Sequence, residues 1–411
     1  MGNLKLDSVL ILSLVIPFIM KYGLGTRETP YFIFGVIFLG LLFYIIIDLL
    51  NIKIYLYHKI KNLLLWGLII LVIGSAFASA IITRHRTHPV DAIIHDMPLQ
   101  QEIAVRFLME GKNPYGVNYF GTFLEQWHYS EKDVNPALYH FVLPPFYILF
   151  AVPFYFAGNF IFGFFDARMP LLALFLLMLI VAAIAVKDQD KKRLFLILLS
   201  FNPAMLPYML EGRSDIFMFS FLFLGFYLLH TKKYIAAGFP MALAFAVKQS
   251  AWPILPFYLV FLLFKNSSIK KTVLATLPFI ATLAIIIVPF FLWNQKSFLD
   301  SIIFYLSGST EYSYPISGYG LGQLLKSFGL IKDVYSYYPF YIWQIIFCAP
   351  LGVLLIKYFS KNRNVKTLIL TYGIFLFVFW YLSRYFNNSH LGYLSLVFIT
   401  AYFFPEDKTE T

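Results

Sequence analysis

Charge is scarce in this chain. Asp, Glu, Lys and Arg together supply 13% of its 411 residues, about half the usual share for a soluble domain, while apolar residues supply 60% and aromatics 20%. That balance excludes an ordinary soluble protein. Cysteine is nearly absent: Cys348 stands alone, which excludes an internal disulfide and any cysteine-built metal cluster. No period of 20 to 50 residues recurs and no low-complexity tract interrupts the chain, so a solenoid is not indicated. The net charge of +11 does not mark a nucleic-acid binder, because the lysines gather in short loops between apolar runs. Lysines so placed orient a membrane protein.

What is present in abundance is long hydrophobic runs. Residues 31 to 50, 63 to 82, 169 to 186 and 272 to 293 each approach the roughly 20 residues needed to cross the hydrocarbon. Further runs near 194 to 210, 216 to 230, 234 to 248, 249 to 264, 340 to 356, 367 to 383 and 391 to 404 follow. The first run, 9 to 20, has no small-residue cleavage site behind it and reads as retained. The expectation is an all-α polytopic bundle of about 12 transmembrane helices, forming one domain over 1–411 with both ends cytoplasmic.

The basic loops 51 to 61, 187 to 193, 231 to 233, 265 to 271 and 357 to 366 are expected on the cytoplasmic side. Parity then puts a first large loop, 84–140, outside, with short helices in it. It also puts the Glu211-Gly212-Arg213-Ser214-Asp215 turn, Lys248, a second large loop, 294–339, and Arg384 to His390 on that same face. The stretch 141 to 165 carries Pro144, Pro145, Pro153 and Gly158 and is expected to dip or lie on the surface rather than to span. A charge in hydrocarbon costs on the order of 3 kcal/mol, so charges at the ends of spans usually line a polar cavity. Five external points of charge are thereby expected around one cavity.

Within 84–140, "HDMPLQQEIAVRFLMEG" reads as a helix with Asp96 as N-cap and Gly111 as its stop. Asp96 serves equally well as a cap alone or as a general base toward an acceptor hydroxyl. Asp91 and Glu102 are the alternative bases. Gln100 lies one turn from Asp96 on the same face, with Glu102 on another. His85, His88, His95, His128 and His140 lack the His-Glu-x-x-His register of a zinc helix and read as loop histidines. Arg213 and Asp215 in a tight connection are odd unless paired or facing ligand. Lys248 has no acidic neighbour in sequence, and either snorkels or binds an anion. Arg384 has the same two readings, and arginine can grip phosphate bidentately. The loop "GSTEYSYPISGYGLGQ", 308 to 323, suits stacking on sugar rings or lipid headgroups.

The order of "HDMPLQQE", "GKNPYG", "LPPFY" at 143 to 147, "EGRSD" and "ALAFAVKQSAWPILPF" resembles the GT-C superfamily of integral-membrane glycosyltransferases, with the mannosyltransferase-like branches nearest in flavour. The resemblance spans about residues 91 to 257, with Arg384 in a plausible late position. It implies inverting transfer of a mannose-like hexose from a polyprenyl-phosphate donor to a glycan or lipid-linked acceptor, on the external face of a cell membrane or the lumenal face of the endoplasmic reticulum. Asp96 would be the base, Lys248 and Arg384 would stabilise the departing phosphate, and Asp215, Gln100 and Glu102 would bind sugar hydroxyls or orient the base. Arg213 and Tyr115 join that substrate-binding set. No paired acid stands beside Asp96, so neither a metal nor another cofactor is expected. The partners implied are the lipid-linked sugar, the acceptor and membrane lipids, with no nucleic acid.

Two rival classes share the composition. A secondary transporter should show matching broken helices in two halves near the midplane, whereas here the charges gather on one side. A lipid-linked polysaccharide polymerase or ligase would share the substrate but rely on arginine and histidine rather than an acidic base.

Overall fold

The computed structural model describes residues 3–22, 30–50, 52–87, 94–128, 134–266 and 268–406, and in these it is almost wholly helical. In chain order the helices are α1 (Leu6–Tyr22), α2 (Tyr31–Leu49), α3 (Ile54–Thr87), α4 (Asp96–Met109), α5 (Phe146–Leu149), α6 (Val152–Phe162), α7 (Arg168–Ala185), α8 (Gln189–Ser200), α9 (Leu206–Leu210) and α10 (Asp215–His230). They continue with α11 (Tyr234–Phe245), α12 (Leu255–Asn266), α13 (Ile269–Trp293), α14 (Gln295–Leu299), α15 (Tyr305–Ser307), α16 (Leu321–Ser327), α17 (Phe340–Lys361), α18 (Val365–Tyr381) and α19 (Asn388–Phe403).

Helix stands on every run read as a span. Five helices, Tyr31–Leu49, Ile54–Arg86, Arg168–Ala185, Ile269–Trp293 and Phe340–Lys361, are long and apolar enough to cross a membrane. Their outer faces carry exposed Phe, Leu and Ile, as surfaces solvated by lipid tails should. Two of the remaining runs are not continuous. The predicted span 194 to 210 breaks between α8 and α9, where Asn202 precedes Pro203 and its Oδ1 takes the Ala204 N–H at 2.9 Å. The run 249 to 264 begins as a short 3-10 stretch, Gln249–Ile254, before α12.

The core is built by close helix contacts at small residues. A Cβ on Gly225 of α10 would lie 2.6 Å from Met241 Sδ on α11, and one on Gly238 of α11 would lie 3.0 Å from the Phe279 N of α13. Dispersion between closely approached backbones replaces the hydrophobic effect between helices in lipid. The segment from α5 to α6 begins and ends at the same end of the bundle. Phe146 N–H donates to Ala246 O at 2.9 Å, and Asp166, just past α6, pairs with Arg84 at 2.8 Å. It runs in two short pieces separated at Phe150 and Ala151, with Phe160 91% exposed.

Polar side chains collect at two opposite ends. At one, Lys61 is fully buried between Asp7 (3.0 Å) and Asp48 (2.6 Å), with Ser8, Tyr44 and Tyr57 hydrogen-bonded to the same carboxylates. Arg193 at the start of α8 reaches Asp7 at 2.6 Å. This knot joins α1, α2, α3 and α8 across loops read as cytoplasmic. At the other end the segments read as external meet.

Candidate active site

The candidate base sits at the start of α4. His95, not Asp96, holds the extended capping conformation (φ −85°, ψ 162°), so Asp96 is the first helical residue. The cap therefore falls one position earlier than the sequence pattern places it. His95 Nδ1 lies 2.5 Å from Asp96 Oδ1 and 3.3 Å from the Met97 N–H. The Met97 N–H donates to this nitrogen, so the His95 side chain caps α4 with the Asp96 carboxylate beside it. The Asn135 amide approaches Asp96 Oδ2 at 3.4 Å. Asp96 is 3% exposed. Asp91 and His88, named with it in the sequence, lie outside the described residues.

Three helix starts converge here. The His95 N–H donates to Glu211 O at 2.9 Å, bringing the start of α4 to the turn before α10. That turn needs Gly212 (φ +84°), whose Cβ would lie 2.8 Å from Pro98 and 3.1 Å from the Arg168 side chain. Arg213 Nη1 donates to Ser389 Oγ at 3.4 Å, joining the turn to the start of α19. The positive poles of α4, α10 and α19 thus face one region, with the Asp96 and Asp215 carboxylates in two of their first turns.

Asp215 is 1% exposed, and its Oδ1 takes the Lys248 ammonium at 2.7 Å. Lys248 has extended backbone (φ −155°, ψ 139°) in the break before the 3-10 stretch. It does not snorkel away but meets an acid 33 residues distant in sequence. Arg213 pairs with Glu211 at 2.9 Å and covers the Tyr208 ring. His390, on the first turn of α19, accepts from the Asn387 N–H at 3.0 Å through Nδ1, which puts its own proton on Nε2. It lies in the fields of Asp215, Lys248 and Arg213. Tyr147 feels the charges of Asp96, Glu102 and Asp215 together, and Tyr314 feels both Asp96 and Arg213. Burial, then the Asp96 carboxylate, push the Tyr314 phenol above its usual range.

The remaining sequence candidates lie nearby with their polar groups engaged. Glu102 takes Arg84 through both oxygens, at 2.7 and 2.6 Å, and the Ala167 N–H at 2.9 Å. Arg84 also holds Asp166, which is held again by Arg168 at 2.8 Å. Glu102 therefore belongs to a buried four-charge network under α4 rather than to a sugar-facing wall, because α4 turns it away from Asp96. Gln100 donates to Ala137 O and His140 O at 2.5 and 2.7 Å, which anchors the segment carrying Asn135. Tyr115 donates to Leu143 O at 2.7 Å and is packed among Phe141, Phe290 and Phe298. Gln100 and Tyr115 both anchor loop backbone.

Arg384 is 2% exposed. Its Nη1 and Nη2 donate to Ser336 O and Val334 O at 2.8 and 2.9 Å, and its Nε donates to Tyr314 O. Burial lowers its pKa to about 10, and no carboxylate reaches ion-pair distance among the described residues. Three carbonyls of the 294–339 loop thus engage one N–H on each of its nitrogens, so this residue holds the loop.

Arg84, Asp166, Arg168, Asn135 and His390 escaped the sequence reading. The same rule that drew attention to Asp215, charge at the end of an apolar span, applies to "FFDARMP" and would have found Asp166 and Arg168. Asn135 carries no such signal. Among the described residues no group of three or more His, Cys, Asp or Glu side chains is arranged to hold a metal ion.

No curated protein and no solved structure matches the chain. Residues 144–264, from α5 through α12 and including Arg213, Asp215 and Lys248, match the family model of the alpha-(1->6)-mannopyranosyltransferase N-terminal domain, MptA/B family, and the match supports a mannosyltransferase family for this chain.

Proposed function

We propose that the protein transfers mannose from a polyprenyl-phosphate donor to a glycan acceptor on the external face of a membrane, as a multi-pass enzyme of the GT-C type. The observation that carries the reading is the meeting of Asp96, Asp215, Lys248 and Arg213, far apart in sequence, where three helix starts converge. The mannosyl-family match over 144–264 supports the sugar.

In this reading Asp96 accepts the proton of the acceptor hydroxyl. The hydroxyl oxygen attacks the anomeric carbon from the face opposite the phosphate, the carbon to phosphate-oxygen bond breaks, and lipid phosphate leaves with the electron pair, inverting the centre. Asn135 orients the carboxylate without removing its charge, with the His95 ring beside it. Charge grows on the departing oxygen, and Lys248, Arg213 and the Nε2–H of His390 are the donors placed to meet it, assisted by the helix poles. Asp215 holds Lys248 in place. With Arg384 engaged by the loop, Lys248 and Arg213 take over the task that sequence alone divided between Lys248 and Arg384. The chain's own residues thereby supply orientation, a base and charge stabilisation, which is what transfer from a good leaving group requires.

Asp96→Asn keeps the shape and removes the base. Mannosyl transfer from a polyprenyl-phosphate donor, measured in membranes, should fall at least about 100-fold with expression and detergent stability retained. Near-wild-type transfer would overturn the assignment.

A further inference from the structure

An open cleft of about 510 Å³ lies on the 294–339 loop, lined by Gly308, Ser309, Thr310, Glu311, Tyr335 and Tyr337. Arg384 builds it. The carbonyls it holds, Val334 O and Ser336 O, flank Tyr335. Its guanidinium also packs so closely on Gly308 (φ +88°) that a Cβ there would lie 2.2 Å from Nη1. One buried side chain therefore positions both walls. The first wall is braced from within, with Ser309 Oγ 2.9 Å from Ser307 Oγ and Thr310 Oγ1 2.8 Å from Ser313 Oγ. Beside Glu311, Tyr312 stacks on Tyr139 of the first loop at 3.7 Å and 3°, tying the two external loops together.

The lining has one chemistry. Tyr337 is 54% and Tyr335 38% exposed, offering flat aromatic faces, while Ser309, Thr310 and Glu311 offer hydroxyl and carboxylate oxygens. No lysine or arginine is among the lining residues and Glu311 is, so the lining itself disfavours a phosphate or an anionic headgroup. Aromatic faces with acceptor oxygens suit a neutral polyol, whose C–H faces pack on the rings and whose hydroxyls donate to the acceptors. Tyr314 links the cleft to the reacting centre: its carbonyl takes Arg384 Nε, its hydroxyl meets the Asn387 amide at 3.3 Å, and its phenol feels Asp96.

We propose that this cleft binds sugar units of a neutral oligosaccharide acceptor remote from the reacting hydroxyl, so that acceptor chain length adds to affinity. The proposal rests on the glycosyltransferase reading for its acceptor, but the binding itself can be tested without it.

The probes are an α-(1→6)-linked mannose disaccharide and the corresponding hexasaccharide, with the full-length protein in detergent. Saturation transfer from protein to sugar protons should detect the hexasaccharide on the wild type and lose it in Tyr337→Ala, with Tyr337→Phe retaining it because the ring remains. In transfer assays the wild type should have a lower KM for the hexasaccharide than for the disaccharide. Tyr337→Ala and, separately, Tyr335→Ala should raise the hexasaccharide KM about tenfold, the loss of one aromatic contact, so that the two acceptors become nearly equivalent. Absence of hexasaccharide binding to the wild type, or unchanged binding in both alanine variants, overturns the cleft. Failure of transfer to every acceptor, with binding and its loss in Tyr337→Ala still observed, sinks the glycosyltransferase reading and leaves the cleft standing.

Discussion

Lys61 and Arg84 stand on one helix, α3, about 35 Å apart by the rise of an α-helix, and each is buried in its own knot of carboxylates. That separation slightly exceeds the roughly 30 Å of a bilayer's hydrocarbon. The helix between them carries no charged residue from Asn62 to Thr83. The two knots therefore lie where the two interfaces of a membrane would fall, and the remaining polar loops sort onto one or the other. Asn62 meets Gln189 at the Lys61 end, while Glu211, Lys248, Ser301 and Arg384 gather at the Arg84 end.

The sidedness of that arrangement can be measured. Single cysteines replacing Phe120 or Lys332 should react with a membrane-impermeant thiol reagent in intact cells, and one replacing Lys187 should react only after permeabilisation, in a background where Cys348 is serine. Labelling of position 187 from outside would reverse the orientation and move the proposed site to the cytoplasm.

The Lys248–Asp215 pair should behave as a buried ion pair. Lys248→Met leaves a buried carboxylate without its cation and is expected to lower stability by about 3 kcal/mol, seen as a large drop in detergent melting temperature. Asp215→Asn combined with Lys248→Met should recover most of that loss while leaving mannosyl transfer impaired. Additive losses in the double variant would mean that the two side chains do not depend on one another.

Lys61 tests the other end. Lys61→Met strands Asp48 in the core and leaves Asp7 with Arg193 as its cation, and a loss of about 3 kcal/mol is again expected. The protein that remains folded should transfer mannose with the wild-type kcat, because the knot lies across the bundle from Asp96. A tenfold fall in kcat at full occupancy of the folded state would show that the N-terminal helices act on the site.

Gly308 tests how the loop is held. Its positive φ and its contact with Arg384 leave no room for a Cβ, so Gly308→Ala should cost about 2 kcal/mol and release the 294–339 loop. Limited proteolysis within that loop is the readout. Resistance equal to the wild type would show that the loop is held by something other than this contact.

The helices were legible before any coordinates because their signal is local. An apolar run near 20 residues long has few alternatives in a membrane, and the breaks at Asn202-Pro203 and around Lys248 fall where proline or charge interrupts such runs. The roles of individual polar residues were not legible. Glu102 and Gln100 stand on α4 beside Asp96 and look like fellow site residues, yet α4 turns Glu102 to Arg84 and Gln100 to two carbonyls. Arg384 looks like a phosphate ligand and holds a loop.

Sequence by itself determined that the chain is helical with several helices apolar enough to cross a membrane, and where most of its helices fall, because hydrophobic length acts residue by residue along the chain. Only the tertiary structure decided which charge meets which. Lys248 and Asp215, or Arg84, Glu102 and Asp166, are brought together by helix packing across long separations. A buried charge must find its counterpart in space, whatever their distance in sequence.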